Sequence, residues 1–238
     1  MQISVIIPTF NEEKNIGSLV QNLQANSNSQ HVEIIVVDGQ SYDNTKEIAT
    51  RNGATVYTCN IKSRAAQMNI GALQAKGDIF YFVHADAMPP ATYYNDIKEA
   101  IIQQKKAGCF RLKFNTSSKL LKINEFFTRF KGGYYGGGDQ TLYIEKNAFK
   151  DLDGFNERYV IMEDFEFTKR IKKRCGLHLI QKDVLVSARK YELNNYFKVN
   201  FANLIMLTLF KLNMEPLKLK LLYKKLLVSE DKNIKTTA

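Results

Sequence analysis

The sequence predicts an α/β domain with a single, mostly parallel central sheet flanked by helices, followed by a helical C-terminal extension. Continuous apolar runs such as ISVIIP, VEIIVVD and DIFYFVHAD read as strands buried on both faces. Segments with apolar residues at helical spacing alternate with them, as in a β-α-β rhythm. Beyond residue 192 that rhythm stops, and the chain becomes apolar and rich in lysine.

Ile3–Pro8 is the first strand, closed by its proline. Asn11 to Ala25 follows as a helix, with Ile16, Leu19, Val20 and Leu23 on one stripe. Val32–Asp38 is a second strand, Asn44–Asn52 a short helix, Ala54–Thr58 a third strand and Arg64–Ala75 a helix. Asp78–Asp86 reads as a fourth strand that ends in polar residues. A helix over Thr92–Lys105 then follows Pro89-Pro90, and Gly108–Phe114 reads as a strand. Leu120–Phe130 is helical and is followed by the glycines 132, 133, 136, 137 and 138. Gln140–Ile144 is a strand, Gly154 marks a loop, Glu163–Lys173 is a helix, and two short strands end near Arg189. Asn194–Leu227 predicts two helices broken near Pro216, and the polar residues Ser229–Ala238 a disordered tail. The expected division is therefore residues 1–192, 193–228 and 229–238.

With 238 residues, 45% hydrophobic and 24% charged, the chain is neither disordered, nor collagenous, nor a disulfide mini-protein. Basic residues outnumber acidic ones, 34 to 24, for a net charge of +10. Much of that excess falls late, at Lys211, Lys218, Lys220, Lys224 and Lys225. The sequence has no helix-turn-helix, RNA-binding aromatic motif or zinc finger, so no nucleic acid partner is expected. Cys59, Cys109 and Cys175 are isolated and odd in number, which fits a reducing compartment. MQISVIIPTF lacks the basic start of a signal peptide, and the longest apolar stretch, Phe201–Phe210, is ten residues long, too short to span a bilayer. The expectation is a cytoplasmic protein, with the inner face of the cell membrane as its alternative station.

Three early strands end in polar residues: PTFNEE, DGQSYDNT and HAD. Singly, each reads as turn and cap chemistry. Together, at equivalent strand ends, they predict a ligand site on the carboxyl edge of the sheet. No G-x-G-x-x-G follows the first strand and no P-loop occurs, so a diphosphate here needs another way to be held, of which a divalent metal on carboxylates is the usual one. Asp86 is the candidate, with His84 two residues earlier on the same face of a regular strand. Spacing alone favours the plainer alternative of a backbone-bonded histidine and a capping aspartate.

IIPTFNEE (Ile6–Glu13), VVDGQSYDNT (Val36–Thr45), RAAQMNIGALQAKGDI (Arg64–Ile79), HAD (His84–Asp86), GGDQ (Gly137–Gln140) and MED (Met162–Asp164) occur in this order. As a set they resemble family 2 glycosyltransferases, the GT-A nucleotide-sugar enzymes. RAAQMN and SARKYE (Ser187–Glu192) are similar to a small bacterial subgroup. The resemblance implies a GT-A fold and inverting transfer of one sugar from a nucleotide-sugar donor, UDP-linked rather than GDP-linked, to an acceptor hydroxyl. It places Pro8, Thr9, Asn11, Glu12 and Asp38 around nucleobase and ribose, with Gly39 allowing the tight turn. Arg64 faces the diphosphate. Asp86 keeps the metal-binding end of the family's D-x-D, for Mn²⁺ or Mg²⁺. His84 stands where the first Asp is usual, touching the nucleotide or ligating the metal as neutral imidazole. Asp164 is the implied base, with Glu163 beside it. Asp139 and Gln140 fall on the acceptor side.

Arg189 and Lys190 fall near the diphosphate, where processive relatives carry Q-x-x-R-W. That motif and transmembrane helices are both missing, which implies nonprocessive transfer. Two other readings stay open. A nucleotidyltransferase normally needs a glycine- and arginine-rich loop after the first strand, which PTFNEE does not supply. A degenerate, noncatalytic nucleotide-sugar-binding module is the other. Leu217–Leu227 reads as a basic amphipathic helix suited to an anionic membrane and a lipid-linked acceptor. Core packing or a homodimer contact is the alternative use of the apolar segment around it.

Overall fold

A computed structural model describes residues 1–27, 31–127, 136 and 140–228. Gly132, Gly133, Gly137, Gly138, Asp139, the end of the helix expected to reach Phe130, and the tail expected to be disordered lie outside the described residues.

Four parallel strands form one half of an eight-stranded sheet: β1 (Ile3–Thr9), β2 (Val32–Asp38), β3 (Thr55–Thr58) and β4 (Ile79–Phe82), in the order β3-β2-β1-β4. Register aligns Thr9 with Asp38 and Asp38 with Thr58, so their carboxyl ends share one edge. Every residue of β1 is buried, as its unbroken apolar run requires. Ile3, Val5 and Ile7 face a core with α1 (Ile16–Ala25), where Leu19, Val20 and Leu23 supply the stripe. Ile6 turns to the other face, under α3 (Arg64–Gln74), where it joins Val37, Met68, Phe80 and Phe82. Packing there is close enough that a Cβ on Gly71 would collide with Ile6 Cγ2. α2 (Thr45–Arg51) links β2 to β3.

The second half mixes directions. β5 (Ala87–Met88), β6 (Ala107–Phe114), β7 (Leu142–Glu145) and β8 (His178–Val186) complete the order β4-β7-β6-β8-β5. β7 runs antiparallel to both β4 and β6, β8 parallel to β6, and β5 antiparallel to β8. Four of the seven pairings are parallel. α4 (Tyr93–Ile102), α5 (Leu121–Phe127), α6 (Lys146–Asp151) and α7 (Glu163–Arg174) fill the connections.

Two expectations are corrected. The fourth strand stops at Phe82, and His84 and Asp86 lie beyond it, in a turn closed by Ala87 N donating to His84 O at 3.0 Å. The same-face argument for a regular strand therefore does not apply to them. The two short strands expected before Arg189 are one, β8, whose pairing with β6 slips between Phe110 and Arg111. The polar residues Gln181, Lys182 and Asp183 interrupt its apolar pattern at that irregularity.

After α8 (Arg189–Glu192) come α9 (Tyr196–Lys211) and α10 (Pro216–Leu226). The break predicted at Pro216 is real, and the proline occupies the first helical turn, where its missing N–H costs nothing. α9 buries Val199, Ala202 and Met206, and α10 buries Leu219. Phe197, Phe201, Leu204, Leu212, Leu217 and Leu221 stay exposed. Among the described residues no helix is long and apolar enough to cross a membrane.

Candidate active site

At the carboxyl ends of β1 and β2, Asp38 is completely buried. Its charge is accommodated by donors: Ser41 Oγ at 2.5 Å and Thr9 Oγ1 at 3.4 Å to Oδ1, and Ser41 N at 2.9 Å to Oδ2. Ser41 Oγ in turn accepts from Asn11 N at 2.8 Å, tying the first loop to the second. Gly39 N donates to Thr9 O at 2.8 Å. Gln67, buried on α3, donates to Thr9 O at 2.7 Å and to Val37 O at 2.8 Å. That amide fills the space beside Gly39, whose Cβ would come within 3.0 Å of Gln67 Nε2. Asn11 holds a left-handed backbone (φ 55°), and its Nδ2 is buried with no hydrogen-bond partner among the described residues. A donor left in that state is available to a ligand.

Beside this edge lies a cleft of about 160 Å³. Pro8, Thr9, Glu12, Arg64, His84, Asp86 and Arg189 line it, so residues 181 positions apart in sequence meet there. Arg189 spans the opening. It sits 2.7 Å from Glu12 Oε1 and 3.4 Å from Asp86 Oδ2. His84 belongs both to this cleft and to a smaller cavity lined by Thr141, Asp164 and Thr168. His84 Nε2 is 3.7 Å from Asp164 Oδ2. The imidazole thus forms the wall between Asp86 and Asp164.

α7 starts from Met162, which is also left-handed (φ 63°), and presents Glu163, Asp164 and Glu166 in its first turn. Glu166 is absorbed by Arg170 at 2.7 Å, the ordinary structural use of such a residue. Glu163 is not. It is 1% exposed, and burial pushes its carboxyl pKa up, against the opposing pull of Arg64. Arg64 Nε stands 2.7 Å from Oε1, yet neither carboxylate oxygen has a hydrogen bond among the described residues.

The description "Glycosyl transferase family 2" fits residues 4–160. The chain belongs to that family. A dolichyl N-acetyl-alpha-D-glucosaminyl phosphate glucuronosyltransferase of Methanococcus voltae is 27% identical over 217 residues, 78% of this chain and 66% of that protein. A dolichol-phosphate mannosyltransferase of Pyrococcus furiosus is 32% identical over 107 residues, 42% of this chain and 30% of that protein. The chain thus spans just under two thirds of the first relative's length and less than one third of the second's. Among solved structures, S. aureus TarS 1-349 in complex with UDP superposes with a TM-score of 0.64 at 20% identity, covering 95% of this chain and 70% of that one. Glucosyl-3-phosphoglycerate synthase from Mycobacterium tuberculosis, in complex with Mn²⁺, UDP and glucosyl-3-phosphoglycerate, gives 0.58 at 17% identity, covering 78% and 70%. These likenesses establish a GT-A fold.

In this family 2 domain the expected nucleotide-side residues assemble, with Asn11, Asp38 and Gly39 behind the cleft and the others lining it. Lys190 departs: its Nζ donates to Asn203 at 3.2 Å and lies 5.1 Å from the Tyr223 ring, so it fastens α8 to α9 and α10. Gln140 is occupied on both sides, accepting from Gly136 N at 2.6 Å and donating to Phe110 O at 3.0 Å. Asp139 lies outside the described residues. Gln67 was not singled out by sequence, although a glutamine among the buried residues Ala65, Ala66 and Met68 was its signal.

For a divalent cation the family 2 site offers two carboxylates that line the cleft, Asp86 and Glu12, the latter paired with Arg189 at 2.7 Å, and the His84 imidazole nearby. No cluster of three ligating side chains occurs among the described residues. That sparse donor set fits Mg²⁺ or Mn²⁺ drawing most of its oxygen ligands from substrate phosphates and water.

Proposed function

We propose that the chain transfers a single sugar from a UDP-sugar to an acceptor hydroxyl, with inversion at the anomeric carbon. The observation that carries this reading is the wall formed by His84, with the cleft of Pro8, Glu12, Arg64 and Arg189 on one side and the Asp164 carboxylate on the other. Thr9, on the cleft wall, and Asn11 Nδ2 are the polar groups offered to nucleobase and ribose, with the buried Asp38 fixing the loops that carry them. Arg64 and Arg189 face the diphosphate. Asp86, with His84, would hold a divalent cation, which when bound supplies charge neutralisation to the leaving nucleoside diphosphate. Asp164 removes the acceptor proton as the hydroxyl oxygen attacks, and one displacement inverts the centre.

Two curated relatives carry dolichyl or dolichol phosphate in their names, which supports a lipid-linked acceptor here. Exposed Phe197, Phe201 and Leu204 on α9, and Leu217 and Leu221 beside Lys218, Lys224 and Lys225 on α10, support peripheral contact with an anionic leaflet. A panel of nucleotide sugars, assayed with and without Mn²⁺ and with NMR of the product, tests the reaction. UDP-sugar turnover with an inverted product is expected. A retained anomeric configuration, or no turnover of any sugar nucleotide, rejects it.

A further inference from the structure

α3 carries two carboxamides that serve opposite sides of the site. Gln67 bonds the ends of β1 and β2, at the cleft edge of the sheet. Asn69 is two residues further on, about 200° round the helix axis. It makes three hydrogen bonds to the loop before α7. Its Nδ2 donates to Phe155 O and to Glu157 Oε1, both at 2.9 Å, and its Oδ1 accepts from Phe155 N at 2.9 Å. Gly154 (φ 61°) lets that loop come close, since a Cβ there would lie 2.8 Å from Asn69 Oδ1. α7 grips the same loop from its other side. Arg170 donates to Leu152 O and, at 2.8 Å, to Gly154 O. The buried Phe155 ring sits 4.4 Å from the Phe167 ring of α7 and 5.0 Å from the ring of Phe82, at the end of β4. Residues 158–162 then lead directly into α7. Phe155 is 2% exposed, so no water replaces Asn69 if its carboxamide is lost, and the peptide groups on either side of Phe155 must move to find partners.

We propose that Asn69 is a positioning residue for the transfer: it holds the start of α7, and with it Asp164, in register with the donor cleft. The inference rests on the reading of Asp164 as the base and deepens it, because a base must stand within hydrogen-bond reach of the proton it takes. Without Asn69 the loop is released from α3 while Arg170 keeps it on α7, so loop and helix shift together. The ends of β1 and β2 do not depend on Asn69, because Gln67 still fastens α3 to them. The carboxylate is therefore displaced and the nucleotide side is not.

Full-length protein and variants are assayed for UDP release from the UDP-sugars of the panel, for UDP affinity by calorimetry, and for amide hydrogen exchange by mass spectrometry. Asn69→Ala is expected to lower kcat at least tenfold, with donor KM and UDP affinity within twofold of wild type. Exchange over residues 158–166 should quicken at least tenfold, with β1 and β2 unchanged. In an Asp164→Asn background the same substitution is expected to cost less than twofold, since a carboxylate already removed cannot be misplaced. Asn69→Asp sets a second carboxylate against Phe155 O and Glu157. Adding Glu157→Gln supplies a donor and is expected to recover at least threefold of the lost turnover, while Glu157→Gln alone stays within twofold of wild type. That pair carries the test if Asn69→Ala does not fold. A lower Tm with unchanged kcat makes Asn69 merely structural and overturns the proposal. So does a full tenfold loss in the Asp164→Asn background, a parallel loss of UDP affinity, or no rescue by Glu157→Gln. Wild-type turnover that Asp164→Asn leaves intact rejects the base reading instead, and no turnover of any sugar nucleotide rejects the transfer reading. In either case exchange over residues 158–166 still decides whether Asn69 holds α7, and unchanged exchange overturns it.

Discussion

Around Asp38, buried polar groups other than Asn11 Nδ2 meet partners: three donors satisfy its carboxylate, and Gln67 spends its amide on two strand-end carbonyls. On α9 and α10 the pattern reverses, and large apolar side chains stand in water, with Phe197 at 70% and Phe201 at 62% exposure. The first arrangement fixes a ligand's geometry before the ligand arrives. The second has no fixed geometry to offer and gains only by covering its area. One chain therefore carries a preorganised pocket and an exposed apolar surface, and their residues should fail in different ways.

The largest test concerns chemistry beside the pocket. Asp164→Asn keeps the shape and removes the basic carboxylate. Turnover should fall about 10²–10⁴-fold while UDP binding, read by calorimetry, stays within twofold. Turnover near the wild-type level would detach the reaction from this cavity. A smaller effect compares packing on the two sides. Gly71→Ala forces a methyl into Ile6 and should cost about 1–3 kcal/mol, read as a lower urea midpoint. Phe201→Ser, on the exposed face, should stay within ~0.5 kcal/mol yet weaken sedimentation with phosphatidylglycerol vesicles. A large loss of stability in Phe201→Ser would mean that its face is covered in solution, as in a homodimer.

A pH-dependent effect sharpens the contrast at Glu163, a buried carboxyl next to Asp164. Glu163 has its folded pKa raised above the ordinary 4.5. The folded state then holds a proton that the unfolded state releases, so this group's contribution to stability declines as pH rises from that ordinary value through the raised one. Glu163→Gln should accordingly raise Tm by a few degrees at pH 8, since ~1 kcal/mol moves Tm by about 2–4 °C at this chain length. The gain should vanish below pH 4. A gain that is constant with pH would assign the effect to packing instead of charge.

Much of the fold was legible because β1 and β2 are unbroken apolar runs and Pro216 punctuates the C-terminal helices. DIFYFVHAD misled at its end, since nothing in its composition marks the departure from strand geometry after Phe82. β8 misled because a polar interruption in a strand reads the same whether the chain breaks or slips register. At the edge of the sheet, strand-end position holds for Thr9 and Asp38, whereas Asp86 lies in the turn beyond β4. Adjacent residues on a helical turn point about 100° apart, so sequence alone could not tell that Arg189 reaches the cleft while Lys190 faces Asn203. Leu-Lys alternation in α10 likewise hides which lysine turns inward. That is a property of docking, and docking is set by residues far away in the chain.

On the proposed reading of the cleft, the Arg189 clasp across Glu12 and Asp86 gives the donor site its own internal competitor. An arriving diphosphate must win the guanidinium from two carboxylates, so measured affinity is the contact energy less the cost of that exchange. Arg189→Ala removes a contact and the obstacle together, and its net effect can be small although both terms are large. Only residues 193–195 separate α8 from α9. If changing partners at Arg189 shifts the seat of α9, linkage requires the converse. A shift of α9 that favours one partner for Arg189 then alters the affinity of whatever competes for that guanidinium by the same factor.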